Sequence, residues 1–471
     1  MNSRREFLTQ AACVLGAAAL SGKSLELHAM DSDNRIKIAG RLPGPNMDGF
    51  VAPKLNKIRV GVIGVGGRGT SAVHRLCNVP GVEVVALCEL VEEKAQRAAE
   101  QMKQNGFAKP KLFIGPEAYK EMCDSGRCDA VHINTNWESH ATLALYAMRA
   151  GVHTFVEVPG IRTIDEAWEM VETCEKERVH CMMLANCCYG DDEMLMIQAA
   201  RLGILDELCH AEAEYIHETR GGDNSQAFHA PDIIFSSLEM LLRNTGAYYP
   251  MHALGPVALA LNINRGDRLD RLVSIGCQAH NWQEFAKRKF GPDAPVSRLK
   301  FAANDFNTTV ITTANEKTIL LRQCNNVPGP YSRQYHLFGF KGRLFANPLQ
   351  VAIEEDLGAG AGWMDDEQLK AFKEQYQSDL WKNLGEIAKT SGGHGGMDYM
   401  MDLRWAYCLR NGLPLDTTVY DLAAWCSVIP LSQESIKNGN KPVEIPDFTR
   451  GQWRINPPVG DMSIDVNKLK S

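Results

Sequence analysis

Six residues, Gly64-Val65-Gly66-Gly67-Arg68-Gly69, stand between a β-branched run ending at Ile63 and a stretch of helical spacing from Thr70. Glycine suits the tight turn at Gly64, close backbone approach to a diphosphate at Gly66, and helix-on-strand packing at Gly69. The phosphates then meet the free N–H groups of the helix start. Glu89 follows about 20 residues after the last glycine, at the end of a second run, Val82 to Cys88. A carboxylate there accepts hydrogen bonds from ribose hydroxyls and repels a 2′-phosphate. The pattern predicts an NAD site, rather than an NADP site, built on Gly64, Gly66, Gly67, Gly69 and Glu89. Arg68 faces either a phosphate or solvent.

Ligands of open parallel sheets bind beyond the carboxyl ends of the strands. Two further segments have that position, Asn134-Thr135-Asn136-Trp137-Glu138-Ser139-His140 and Glu157-Val158-Pro159-Gly160, and both are expected beside the nicotinamide ribose. The elements that must hold them alternate: Ile58–Ile63, Thr70–Asn78, Val82–Cys88, Glu92–Gln104, Ala130–Asn134, His140–Ala150 and Thr154–Glu157. This rhythm is βαβαβ and predicts a parallel sheet with right-handed crossovers. Later runs, Leu272–Cys277, Thr308–Thr313 and Thr318–Arg322, alternate less regularly with helices. Residues 364–391 and 415–438 read as amphipathic helices. The expected fold class is α/β, with an N-terminal Rossmann doubly wound parallel sheet. A C-terminal α+β domain with an open, largely antiparallel sheet follows.

The expected organisation is a signal segment over 1–22, an extended arm over 23–56, an NAD-binding domain over 57–185, a substrate and oligomerisation domain over 186–455, and a tail over 456–471. Ser3-Arg4-Arg5-Glu6-Phe7-Leu8 before the apolar run Ala11–Leu20 resembles a twin-arginine export signal. That run is too short to span a bilayer, so a periplasmic protein without a transmembrane span in its mature chain is expected. Cys13 follows a poor match to a lipoprotein cleavage box, and no lipid anchor is expected. Twin-arginine substrates fold before export, so the 14 cysteines are read as buried thiols. None has metal-ligand spacing. The 57 acidic and 50 basic residues are dispersed, with no basic block to track phosphates, which argues against a nucleic-acid partner.

The glycine-rich turn with these two strand-end segments resembles the glucose-fructose oxidoreductase, inositol dehydrogenase and MocA superfamily. Its dehydrogenases place a lysine where this chain has Val158, and an aspartate where it has Tyr248, four residues before His252. Over residues 57–455 the sequence is similar to the NAD-dependent α-N-acetylgalactosaminidases of glycoside hydrolase family 109. The segments that carry this include Asn186-Cys187-Cys188-Tyr189-Gly190, Tyr249-Pro250-Met251-His252, Pro330-Tyr331-Ser332-Arg333 and Gly392-Gly393-His394-Gly395-Gly396-Met397-Asp398. The resemblance implies NAD contacts at Arg68, Gly69, Glu89, Asn136, Trp137, His140, Glu157, Val158 and Asn186. It implies sugar contacts at Tyr215, Tyr249, His252 and Tyr331, with Tyr249 and His252 as the catalytic pair. The family's arginine-containing run before the Tyr-Pro segment has no counterpart in Ser236–Arg243.

The resemblance further implies a redox-neutral cycle on a glycan or amino-sugar glycoside. The sugar C3 is oxidised, the C2 proton is removed while the aglycone leaves C1, water adds, and C3 is reduced again. His252, as an imidazole titrating near the working pH, would act at the 3-hydroxyl, and Tyr249, with a pKa lowered by the nicotinamide charge, at C2; the two roles are interchangeable at this stage. Two other readings stay open: a sugar or cyclitol oxidoreductase, and a silent NAD- or sugar-binding protein of the periplasm. A homodimer or larger assembly is also expected.

Overall fold

A computed structural model describes residues 44–220, 238–356 and 358–469. The twin-arginine segment, most of the arm before residue 44, and residues 221–237 with Asp223, His229, Ser236 and Ser237 lie outside the described residues.

The first sheet consists of β1 (Ile58–Ile63), β2 (Val82–Glu89), β3 (Lys111–Ile114), β4 (Ala130–Ile133), β5 (His153–Val156) and β6 (Cys181–Met183). All its pairs are parallel, and the order is β3-β2-β1-β4-β5-β6. The strands are buried along nearly their whole length, as expected of a parallel sheet covered by helices on both faces. Strand order reverses between β1 and β4, so a crevice opens at their carboxyl ends, where the glycine-rich turn and the Asn134–His140 segment emerge.

The second sheet takes β7 (Leu208–Ile216), β8 (Leu269–Gly276), β9 (Asn307–Thr313), β10 (Thr318–Cys324), β11 (Tyr335–Gly339), β12 (Gly342–Ala346), β13 (Gln350–Ile353) and β14 (Val443–Glu444). Its order is β13-β12-β11-β7-β10-β9-β8-β14, antiparallel except where β7 and β10 run parallel. Burial alternates along β9, so one face is covered and the other open.

The chain's last long helices do not stay with the second sheet. Trp405 of helix Met397–Asn411 stacks on Phe155 of β5, with ring centroids 4.1 Å apart. Arg75 of the first helix donates from Nε to Asp402 at 3.1 Å. Cys426, on helix Val419–Lys437, lies 3.3 Å from the Met183 sulfur of β6. The helix Met397–Asn411 therefore brings the glycine-rich segment before it back to the nucleotide crevice.

The arm and tail differ from free extensions. Met47 and Ala52 are buried, and Asp48 pairs with Arg265 at 2.8 Å. Burial outweighs that arginine and raises the Asp48 pKa to about 6. Tail residues Val459, Met462 and Ile464 are buried too, and the Ser463 carbonyl accepts from Arg404. The apolar side chains at intervals in both segments cover core surface, which outweighs their lack of regular structure.

Candidate active site

At the turn after β1, Gly64 has φ +83°, a conformation that glycine adopts without cost. A side chain at Gly69 would begin 1.8 Å from the Gly64 carbonyl, so helix and turn touch backbone to backbone. At Gly66 and Gly67 a Cβ would meet nothing within 4 Å, and the turn there is an open cradle. A groove of about 660 Å³ runs beside it, with Thr70, Ser71, Lys94 and Arg97 among its lining residues. Glu89 accepts the Val65 N–H at 2.8 Å on one oxygen and the Leu90 N–H at 2.8 Å on the other, which ties the turn to the end of β2. The open turn, the helix N-terminus and the fixed carboxylate fit the diphosphate and adenosine ribose of NAD. Glu89→Ala is expected to weaken NAD binding about 10–100-fold, since it removes the ribose acceptor and leaves the Val65 N–H unpaired, a loss of about 1–3 kcal/mol. Calorimetric titration of the stripped protein with NAD checks this.

The Arg68 guanidinium turns to carboxylates and is only partly exposed. Its Nε donates to Glu157 at 2.6 Å, and its Nη1 and Nη2 to the two oxygens of Asp398 at 2.6 and 3.1 Å. Asn186 Nδ2 donates to Asp398 at 2.7 Å, and His394 Nδ1 lies 3.0 Å from the same carboxylate. Asp398 is fully buried. Burial alone would raise its pKa, but the His394 hydrogen bond and the charges of Arg68 and Arg75 hold it well below the usual carboxylate range. One ionised group thus joins the turn after β1, the end of β5, the segment after β6 and the C-terminal glycine-rich loop. His140 is also buried. Its ring nitrogens lie 2.8 and 3.1 Å from the carbonyls of Pro159 and Thr135, so it fastens the β4 and β5 end segments to each other. Asn136, at the start of the first segment, accepts from Ser139 Oγ at 2.6 Å on its side-chain oxygen, while Val158 is buried in the second.

The second half supplies an aromatic cluster. Tyr249 stacks on Trp137, with centroids 5.3 Å apart at 17°, and its hydroxyl is 3.2 Å from His252 Nε2. Gln323 on β10 accepts the Tyr249 N–H at 2.9 Å, and the Tyr335 hydroxyl on β11 donates to the His252 carbonyl at 2.6 Å. Tyr215, at the end of β7, packs 5.6 Å from Tyr249, 5.1 Å from His252 and 5.8 Å from Tyr331. Tyr215, Tyr249, His252 and Tyr331 are therefore brought together, beside Trp137 and next to Arg68, Glu157 and Asn186.

Two expectations are corrected. The Tyr249 phenol is not lowered but pushed well above its ordinary pKa, by burial and by the Glu157 carboxylate. The His252 imidazole does not titrate near neutrality: burial and the charges of His394, Arg333 and Arg68 hold it well below its ordinary value. Both groups are neutral at pH 7, and His252 Nδ1 is buried without a partner. Three residues gain a place that sequence reasoning did not give them. His217 accepts or donates at 3.0 Å with the Tyr215 hydroxyl and packs on Tyr331, and its i+2 spacing from Tyr215 was the available signal. Arg333 donates to Glu193 at 2.7 Å and to the Tyr331 hydroxyl at 3.0 Å. No local pattern marks that pair, because Glu193 lies 140 residues away.

This fold and cradle define an NAD-binding protein of the glucose-fructose oxidoreductase, inositol dehydrogenase and MocA class. Residues 58–184 match the oxidoreductase family NAD-binding Rossmann fold, and residues 189–455 match the glycosyl hydrolase 109 C-terminal domain. Levoglucosan dehydrogenase in complex with NADH and L-sorbose superposes with a TM-score of 0.64 at 18% identity, covering 83% of this chain and 100% of that one. A glycosyl hydrolase family 109 protein of Shewanella pealeana is 38% identical over 97% of this chain and 98% of its own. An α-N-acetylgalactosaminidase of Bacteroides fragilis is 39% identical over 86% of this chain and 95% of its own. The chain belongs to glycosyl hydrolase family 109, and it is an NAD-dependent glycosidase.

Proposed function

We propose that the protein removes terminal α-linked N-acetylgalactosamine from glycans by oxidation, elimination, addition and reduction on the sugar ring. Bound NAD supplies the hydride acceptor and donor for C3. The observation that carries the reading is the state of the carboxylates. Conventional glycosidases need two that flank the scissile bond, one as acid and one as base or nucleophile. Here Glu157 and Asp398 are bound to Arg68, and Glu193 to Arg333. The groups without such commitments are Tyr249 and His252, stacked against Trp137 at the cofactor crevice.

Their chemistry suits proton movement within a bound sugar. His252 is a neutral imidazole with one nitrogen unpaired, able to take the proton of the 3-hydroxyl as C3 is oxidised. Tyr249, hydrogen-bonded to it, relays the C2 proton once the C3 ketone has made that proton acidic. Trp137, Tyr215 and Tyr331 form aromatic walls that position the sugar face against these groups. The named Bacteroides fragilis relative supports the choice of sugar. The twin-arginine segment and a homo-oligomer belong to the same proposal, as properties of an exported glycan-degrading enzyme.

The test is an aryl α-N-acetylgalactosaminide in D₂O, followed by NMR. Aglycone release with deuterium at C2 of the product is expected. Release without C2 exchange would contradict proton removal at C2, unless a shielded proton returns, which C2-deuterated substrate would reveal by a primary isotope effect. Absence of release would turn attention to other sugars, and net NADH formation from free sugar would favour an oxidoreductase.

A further inference from the structure

The proposed cycle orients the sugar by its reacting carbons, with C2 at Tyr249 and C3 at His252, whose hydroxyl and Nε2 are 3.2 Å apart. A pyranose ring continues from C3 to C4, so the C4 substituent falls beyond His252, away from Tyr249. Tyr215, 5.1 Å from His252, leads in that direction to Tyr331, 5.8 Å further on. Arg333 stands on the same side. Beyond the effect of burial, the charges that bear most on His252 are those of His394 and Arg333, whereas those that bear most on Tyr249 are Glu157 and Arg68, at the cofactor crevice.

The Arg333 guanidinium is held on two edges. Ser332 and Ile216 exchange both backbone hydrogen bonds at 2.9 Å, which fixes the segment to the end of β7, and Tyr331 and Arg333 flank that pair on one side of the extended chain. Nε donates to Glu193 at 2.7 Å, and Nη1 to the Tyr331 hydroxyl at 3.0 Å. Glu193 is itself immobile: it is buried, the same oxygen accepts Asn347 Nδ2 at 2.6 Å, and a side chain at Gly190 would overlap its carboxylate. Arg333 Nη2 has no acceptor among the described residues, and the side chain is 11% exposed. An N–H on a guanidinium fixed in this way is a donor preset for a ligand oxygen. Because Glu193 already balances the charge, a neutral hydroxyl suits it better than an anion.

We propose that Arg333 reads the 4-hydroxyl of the sugar, its Nη2 donating to an axial O4, and thereby selects galacto- over gluco-configured substrates, an inference that rests on the glycosidase reading above. The two configurations differ only in the direction of one hydroxyl. A donor fixed on one side of the ring bonds one epimer and is left unpaired against the other, and the unpaired group is what penalises the wrong sugar. Arg333 takes no part in moving protons. Its contact exists before the reaction and throughout it, so its loss should raise KM and leave kcat within about threefold.

The experiment compares a nitrophenyl α-N-acetylgalactosaminide, its 4-deoxy analogue and the α-N-acetylglucosaminide with the NAD-loaded protein. The unaltered protein is expected to lose about 10- to 100-fold in kcat/KM on the 4-deoxy compound, and at least as much on the gluco epimer. Arg333→Met should lose a similar factor on the parent compound yet cleave parent and 4-deoxy compound within about threefold of each other, a cycle that isolates this one contact. Since Arg333→Met strands the buried Glu193, Arg333→Lys is measured beside it. Lysine keeps a partner for Glu193 but lacks the planar fork that reaches three acceptors at once, so it should narrow the same ratio. A 4-deoxy compound cleaved by the unaltered protein as fast as its parent, or variants that keep the full ratio between the two, would overturn the assignment while leaving the glycosidase reading intact. No aglycone release by the unaltered protein from any of the three would overturn that reading and this role together.

Discussion

Asp398→Ala is expected to cost about 3–5 kcal/mol of stability and to abolish activity, the largest combined effect of any single substitution at the site. The carboxylate is fully buried and holds Arg68, Asn186 and His394, with Arg75 at 3.6 Å. Removing one partner of a buried pair leaves the opposite charge without compensation, which is why the loss exceeds what the pair itself contributes. The melting temperature should fall by an amount on the order of 10 °C. Arg75 keeps Asp402 and Arg68 keeps Glu157, so each arginine loses one of two carboxylate partners. Adding Arg68→Met to Asp398→Ala removes the Arg68 charge but leaves the buried Glu157 without its arginine, so little stability should be recovered. Activity should not return, because Glu157 and His394 then lack their anchors. A single variant that melts with the unaltered protein would show that the network does not hold the crevice together.

The strands and helices that build the cofactor crevice were legible where periodicity is strong. β1 and the helix Glu92–Gln104 fall where the pattern places them, and β2, β4 and β5 shift by a residue. β3 and β6 were not legible: one is four residues beginning with lysine, the other is Cys-Met-Met, and neither carries an alternating β-branched signal. The helix Ile164–Glu177 went unread as well, although Thr163 and Glu166 form a capping box that was an available local signal. The segment 364–391 is two helices, separated at Gln377–Ser378, where Ser378 Oγ caps the second.

The site divides in the same way. Glycine spacing and Glu89 are local, so the dinucleotide cradle could be read from one stretch of chain. Asp398 lies 330 residues from Arg68, and its importance depends on the last helices folding back over the first sheet. The resemblance named the glycine-rich loop, yet its sequence is equally that of a plain turn. Only the burial of Asp398 beneath it separates the two. The pKa expectations failed for a related reason: the residue types were right, but solvent exclusion by the packed aromatics acts on charge and leaves no trace in spacing.

Loss of either member of the Tyr249–His252 pair should reduce kcat by about 100- to 10,000-fold with KM changed far less, the range expected when a positioned proton-transfer group is removed. His252→Asn keeps a polar side chain of similar reach but cannot exchange a proton, and Tyr249→Phe keeps the stack on Trp137 but loses the hydroxyl. The double variant should be little worse than either single one, because a hydrogen-bonded relay fails as a unit. The same burial sets two pH dependences. In the folded protein His252 is held well below its ordinary pKa, so it stays neutral as pH falls through 6.5, and no acid limb of kcat/KM at that pH should belong to it. In the unfolded chain it regains the ordinary value near 6.5 and takes up a proton below it. The unfolded state then binds more protons than the folded one, so the contribution of His252 to stability is intact above about pH 6.5 and declines as pH is lowered. Melting curves from pH 7 to 5 should therefore show a shallower fall for His252→Asn than for the unaltered protein, while an equal slope would mean that the imidazole is reached by solvent and is free to charge in the folded state.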